Sequence, residues 1–234
     1  MQVDGAKTRS EHDTSTQTAE RRHEGRFAME GTALADRLQE KVAGVCLIAG
    51  ALLLAPATQF EYSGGLFWAG VFGLVIYILF VPGLLRIAWL LRQPSPRLSV
   101  VAGLLVAAGC VGGASFQAAM LHEWAARTAG APEAMVAAIM EVTEGRVFPV
   151  LVIFGIQFPI ALLTLSFGLF RTRTAPTWVA ARLGIAVILW PIGHIGTILL
   201  VSHLAHAFAL VPLVWLSLRF LRGVPQVVAV PAST

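Results

Sequence analysis

Residues 178–221 read WVAARLGIAVILWPIGHIGTILLVSHLAHAFALVPLVWLSLRFL, and no Asp, Glu, Lys or Arg falls between Arg182 and Arg219. A single helix of that length would extend about 66 Å at 1.5 Å per residue, twice the hydrocarbon core of a bilayer. The stretch therefore folds back on itself. The only tight turn it offers is the glycine-bracketed Gly193-His194-Ile195-Gly196-Thr197, which divides it into two spans, Trp178–Ile195 and Thr197–Leu221. Upstream, four further stretches reach the roughly 20 apolar residues that a helical span needs: Val42–Gln59, Gly64–Leu91, Leu98–Leu121 and Val147–Phe170. The expected fold is all-α, a polytopic membrane bundle of six transmembrane helices occupying residues 42–222. Pro82 predicts a kink in the second span, and Arg86 is expected to snorkel to the interface beyond it.

Composition agrees. Of the 234 residues 56% are hydrophobic and 13% charged, with mean hydropathy +0.74. A water-facing domain carries roughly twice that share of charge, so a soluble globular domain, a disordered chain and a nucleic-acid module are all excluded. The sequence pI near 9.7 rests on a net charge of only +4, and the positive residues flank apolar runs as membrane-edge charge does. Arginine outnumbers lysine 15 to 2 and asparagine is absent, a bias that accompanies GC-rich coding DNA and suggests a bacterial source.

Positive charge also sets an orientation. The residues before Val42, Arg86/Arg92/Arg97, Arg171/Arg173/Arg182 and Arg219/Arg222 hold 15 of the 17 Lys and Arg, leaving Arg127 and Arg146 on the other side. Alternating spans place all 15 on one face, so the positive-inside bias puts both termini in the cytoplasm and the protein in a bacterial inner membrane. Residues 1–41 carry seven Lys or Arg and eight Asp or Glu without an apolar run. They read as a mostly disordered cytoplasmic tail with a short interfacial helix at 32–41, and Met29 is an alternative start. Residues 223–234 form a second short cytoplasmic tail. The loop 122–146, on the outer face, predicts an amphipathic helix after Pro132 with Met135, Val136, Ile139, Met140 and Val142 mainly on one side.

Most signatures of intramembrane chemistry are missing. His122-Glu123 begins like HExxH, but position 126 is Ala. Ser115 with His206 suggests a serine–histidine dyad, yet Phe116 stands where a glycine is expected, which disfavours an intramembrane hydrolase. Glycine and alanine at helical spacing on the first and third spans, including Gly44, Gly50, Gly103, Gly109 and Gly112-Gly113, predict close helix packing. Gln157, near the middle of the fourth span, is expected to hydrogen-bond between helices. Cys46 and Cys110 read as small buried side chains, not as a disulfide.

What remains is polar chemistry at the outer end. His203 and His206 lie one turn apart on the sixth span, His194 lies in the turn before it, His122 and Glu123 end the third span, and Glu141 and Glu144 precede the fourth. Imidazole and carboxylate on converging helix ends have the chemistry to hold a divalent metal or haem. The metal set so predicted is His203, His206, Glu141 and Glu144, with His122, Glu123 and His194 as further polar candidates. The plainer reading gives these residues hydration or local hydrogen bonds. On that reading no cofactor is expected, and the partner is the lipid bilayer.

GLFRTRTAPTWVAARLG (168–184), the Gly-His turn at 193–194 and LVWLSLRFLR (213–222) together resemble a group of small six-span membrane proteins of high-GC bacteria. That group has no assigned activity, so the resemblance implies a fold and no site. The function expected from the sequence is non-enzymatic, accessory or small-solute handling, with a haem- or metal-binding membrane protein as the alternative.

Overall fold

The computed structural model describes residues 5–143, 145 and 148–223, so the tail after Gly223 and Glu144 lie outside it. Its elements are α1 (Gly5–Tyr62), α2 (Leu66–Leu90), α3 (Pro96–Thr128), α4 (Glu133–Val142), α5 (Phe148–Gly155), α6 (Gln157–Thr172), α7 (Thr177–Ile195) and α8 (Leu199–Arg222). The described residues are helical with no strand, and six helices are long and apolar enough to cross a membrane. The chain is an integral membrane protein with the expected number of spans.

The chain up to Glu40 and the chain from Lys41 onward are separate compact units. In the first, helix begins at Gly5, upstream of the expected start at Thr32. The segment lacks proline and is rich in Glu, Arg, Gln and Ala, which lose little side-chain freedom in a helix.

Within the second unit the helices pack in the order α1, α2, α3, the α5/α6 pair, α7 and α8, and α8 returns to α1. Leu47, Leu84, Leu165, Leu183, Leu213, Leu216 and Phe220 fill the interior, whereas Ile78, Leu104, Val111 and Ile188 are exposed on outward faces. Such a distribution is unsustainable in water over so many residues and suits a lipid surround.

Glycine sets the helix separations. A Cβ on Gly109 would lie 2.5 Å from the Phe158 backbone, and one on Gly112 would collide with Phe154. The backbone of α3 thus rests directly on the α5/α6 junction. Gly44 lies against Ser217 and Leu221 of α8, and Gly50 against Phe80 of α2. Gly103 differs, because a Cβ there would meet nothing nearer than Leu85 at 3.9 Å.

Two features depart from the sequence reading. α3 runs to Thr128, well past Leu121, because alanines and the Glu123–Arg127 pair at i,i+4 (3.1 Å) favour helix there. At the α5/α6 junction Pro159 has no N–H for the Gly155 carbonyl, four residues earlier, but Ile156 keeps a right-handed helical backbone (φ −65°, ψ −19°) and Val152–Thr172 remains one apolar span. Among the described residues the Gln157 amide makes no interhelical hydrogen bond. α2 continues through Pro82 to Leu90, and both cysteines are free.

The two ends of the bundle differ. At one, Arg92, Arg182 and Arg219 lie over Trp89, Trp178 and Trp215 at 4.3, 5.8 and 5.9 Å, and Arg219 also donates to the Thr174 carbonyl. At the other, Phe60, Phe67, Trp68, Phe72 and Trp124 form a contiguous aromatic cluster. Paired aromatic girdles are what two membrane–water interfaces select.

The glycine contacts predict opposite signs for one substitution at two sites. Gly112→Ala should destabilise the protein in detergent by about 1–3 kcal/mol through overpacking. Gly103→Ala should stabilise it by roughly 0.5–1 kcal/mol, since a helical glycine is replaced where space is free. Thermal unfolding of the two variants checks both, and equal effects would contradict the packing described.

Candidate functional site

Two helix terminations build the site. α1 ends in a Schellman motif: the Gly65 amide donates to the Phe60 carbonyl (2.8 Å), Gly64 to Glu61 (3.3 Å), and Gly64 takes φ +79°. This stop leaves Gln59, Glu61 and Tyr62 on the last turn. α7 ends in the same pattern, with Ile198 donating to the Gly193 carbonyl (2.8 Å) and Thr197 to His194 (3.3 Å). Here the left-handed residue is Thr197, at φ 53°. A β-branched residue is strained in that conformation. The bracketing glycines do not make the turn, because Gly193 serves another purpose. A Cβ on it would lie 2.5 Å from the Ser202 hydroxyl and 2.6 Å from the Ser202 amide, so its lack of a side chain lets α8 close on α7.

Side chains from α1, α7 and α8 then meet. The Tyr62 hydroxyl donates to the Gly193 carbonyl at 2.9 Å and lies 3.0 Å from Ser202 Oγ. With the tyrosine proton committed, the serine proton must go to the tyrosine oxygen. Ser202 cannot then donate to His194 Nδ1, 3.4 Å away. That nitrogen carries its own hydrogen and donates to the Trp190 carbonyl at 3.1 Å. The tautomer of His194 is thus assigned from the network, and Nε2 faces Glu61 Oε2 at 3.9 Å. A proton arriving on Nε2 would turn this contact into an ion pair.

His206 lies beyond His194. Their ring centroids are 5.8 Å apart, and the His203 ring lies 6.3 Å from that of His206. His203 Nε2 is 3.3 Å from the Gln59 side-chain oxygen, near enough to donate to it. His206 is only 5% exposed, and its Nδ1 is buried without a hydrogen-bond partner among the described residues. The Trp190 ring stacks on His194 at 4.7 Å.

Of the residues predicted from sequence, His194, His203 and His206 are together. The carboxylate beside them is Glu61, which is not among the carboxylates predicted from sequence. Glu141 is exposed on α4, which packs against α3, and it makes no described contact with the histidines. Glu144 lies outside the described residues. His122 is exposed on the last turns of α3, and Glu123 pairs with Arg127. Among the described residues no three His, Cys, Asp or Glu side chains are placed to hold a metal ion. Ser115 is exposed and bonds the Val111 carbonyl of its own helix at 2.9 Å, so no dyad with His206 forms. Gln59, Tyr62, Ser202 and Gly193 were also missed. The available signal was Gln59-x-Glu61-Tyr62 one residue before a glycine pair, at the end of the bundle where alternation puts His194.

No protein-family model, no curated protein and no solved structure matches the chain.

The network predicts coupled energetics. Tyr62→Phe and Ser202→Ala should each cost about 1 kcal/mol of stability. The double variant should cost less than the sum of the two, because each removes the same hydrogen bond. Energies adding to within about 0.3 kcal/mol in a double-mutant cycle would show the two hydroxyls to be independent.

Proposed function

We propose that this integral membrane protein is non-enzymatic and handles a small solute at the Glu61–His194–His203–His206 cluster. The observation that carries the reading is His206: an imidazole 5% exposed, inside a membrane bundle, with one nitrogen unpaired. Leaving a buried polar atom unsatisfied costs roughly 1–3 kcal/mol, and the buried core of the bundle is built mainly of Leu and Ala with Val, Ile and Phe. Ionisable side chains kept within spans at this expense mark solute or ion paths. Gln59, Glu61 and His203 extend the polar surface from His206 towards the end of α1, which supports entry from that end.

The same reading places this end outside and both termini in the cytoplasm of a bacterial plasma membrane. Its support is the concentration of arginine at the opposite end. A reporter fused after Thr234 should be active only in the cytoplasm, and activity on the far side would reverse the orientation.

If His206 is kept for a solute and not for the fold, His206→Leu should raise the melting temperature of the purified protein, because it removes an unpaired polar atom. A fall of several degrees would make His206 a structural element and remove the main support for solute handling. A Soret band, or zinc-dependent stabilisation lost in His203→Ala/His206→Ala, would replace the reading with the haem or metal alternative.

A further inference from the structure

A groove lies between α2 and α3 at the same end of the bundle. The turn at Gly64-Gly65, the start of α2 and the end of α3 border this open groove of about 460 Å³, lined by Phe67, Trp68, Trp124 and Arg127. The Phe67 ring lies 4.6 Å from Trp124 and 5.0 Å from Trp68, and both tryptophans keep a third to a half of their surface exposed.

The charges around the groove are mixed. Arg127 Nε donates to Glu123 Oε1 at 3.1 Å, and Nη1 donates to both oxygens of Glu133 at 2.9 Å. Nη2 lies 3.1 Å from the same Glu123 oxygen. A guanidinium has five N–H groups, so one on Nη2 is left for a further acceptor. Two carboxylates against one guanidinium leave these three residues at net −1. Glu133 is the open member, its side chain 74% exposed.

We propose that this groove binds the headgroup of a zwitterionic membrane lipid bearing a primary ammonium, a phosphoethanolamine headgroup. A phosphate oxygen would accept the remaining Arg127 N–H. The ammonium would lie over the Trp124 and Phe67 faces and donate to Glu133, joining cation–π attraction to a charge-assisted hydrogen bond. The sign of the local charge sets the selectivity, because an anionic headgroup brings a phosphate and no cation to a site already at −1. Position supplies the occupant. The groove opens where α2 begins and α3 ends, at the level of the aromatic girdle, where headgroups are the most concentrated solute.

The test uses the full-length protein in mixed micelles containing equal amounts of phosphatidylethanolamine, phosphatidylglycerol and phosphatidylcholine with identical acyl chains, read by native mass spectrometry. Phosphatidylethanolamine should be retained several-fold over each of the others. Glu133→Gln removes the ammonium acceptor from an exposed position, so its melting temperature should hold while the preference falls towards unity. Equal retention of the ethanolamine and glycerol lipids, or an undiminished preference in Glu133→Gln, would overturn the proposal. Retention of phosphatidylcholine as strong as that of phosphatidylethanolamine would overturn the ammonium hydrogen bond and with it the assigned headgroup.

Discussion

Helices in lipid receive no hydrophobic push towards each other, since tails and leucine side chains are equally apolar. What holds this bundle is the closeness with which backbones meet. Gly109 and Gly112 let α3 lie directly on the α5/α6 junction, and Gly193 lets Ser202 of α8 lie directly on α7. At such distances dispersion acts between main chains as well as side chains. The α5/α6 junction belongs to the same arrangement: Pro159 leaves the Gly155 carbonyl without its helical donor, and α3 packs across that junction with two glycines.

The polar end depends on this closeness. If α8 stood one methyl further from α7, Ser202 would be displaced from Tyr62 and from His194 alike. The chain of proton assignments from Tyr62 through Ser202 to His194 exists because Gly193 contributes both an absent side chain and an accepting carbonyl. That carbonyl takes two donors, the Ile198 amide and the Tyr62 hydroxyl, using both lone pairs. Thr197 bears the strain of the turn, so Gly193 is free for packing.

The fold was legible because span length and apolar content follow from bilayer thickness alone. The six spans, the small-residue packing on α1 and α3 and the helix after Pro132 could all be read from the residues. Helix ends were less legible. The extension of α3 to Thr128 rests on local pairs that a hydropathy window smooths over, and the lost hydrogen bond in the fourth span rests on the spacing of Gly155 and Pro159. Within the site, the clustering of His194, His203 and His206 followed from spacing and the hairpin. Glu61 did not, because nothing in a linear pattern says that the end of the first span touches the start of the sixth. Glu141 and Glu144 precede the fourth span in sequence, whereas closure of the helix ring decides which carboxylate comes close.

That closure has a consequence for biogenesis. The contacts of Tyr62 with Gly193 and Ser202 and of Gln59 with His203 join residues 131, 140 and 144 positions apart. Half of the site therefore leaves the ribosome early and waits, unpaired, until the final hairpin has inserted. A chain arrested before α8 has spans but no site, and its exposed Glu61 and Tyr62 distinguish it from the finished protein. Surveillance that recognises unpartnered polar groups within the membrane would find such a product, and would lose sight of it once the last helix docks.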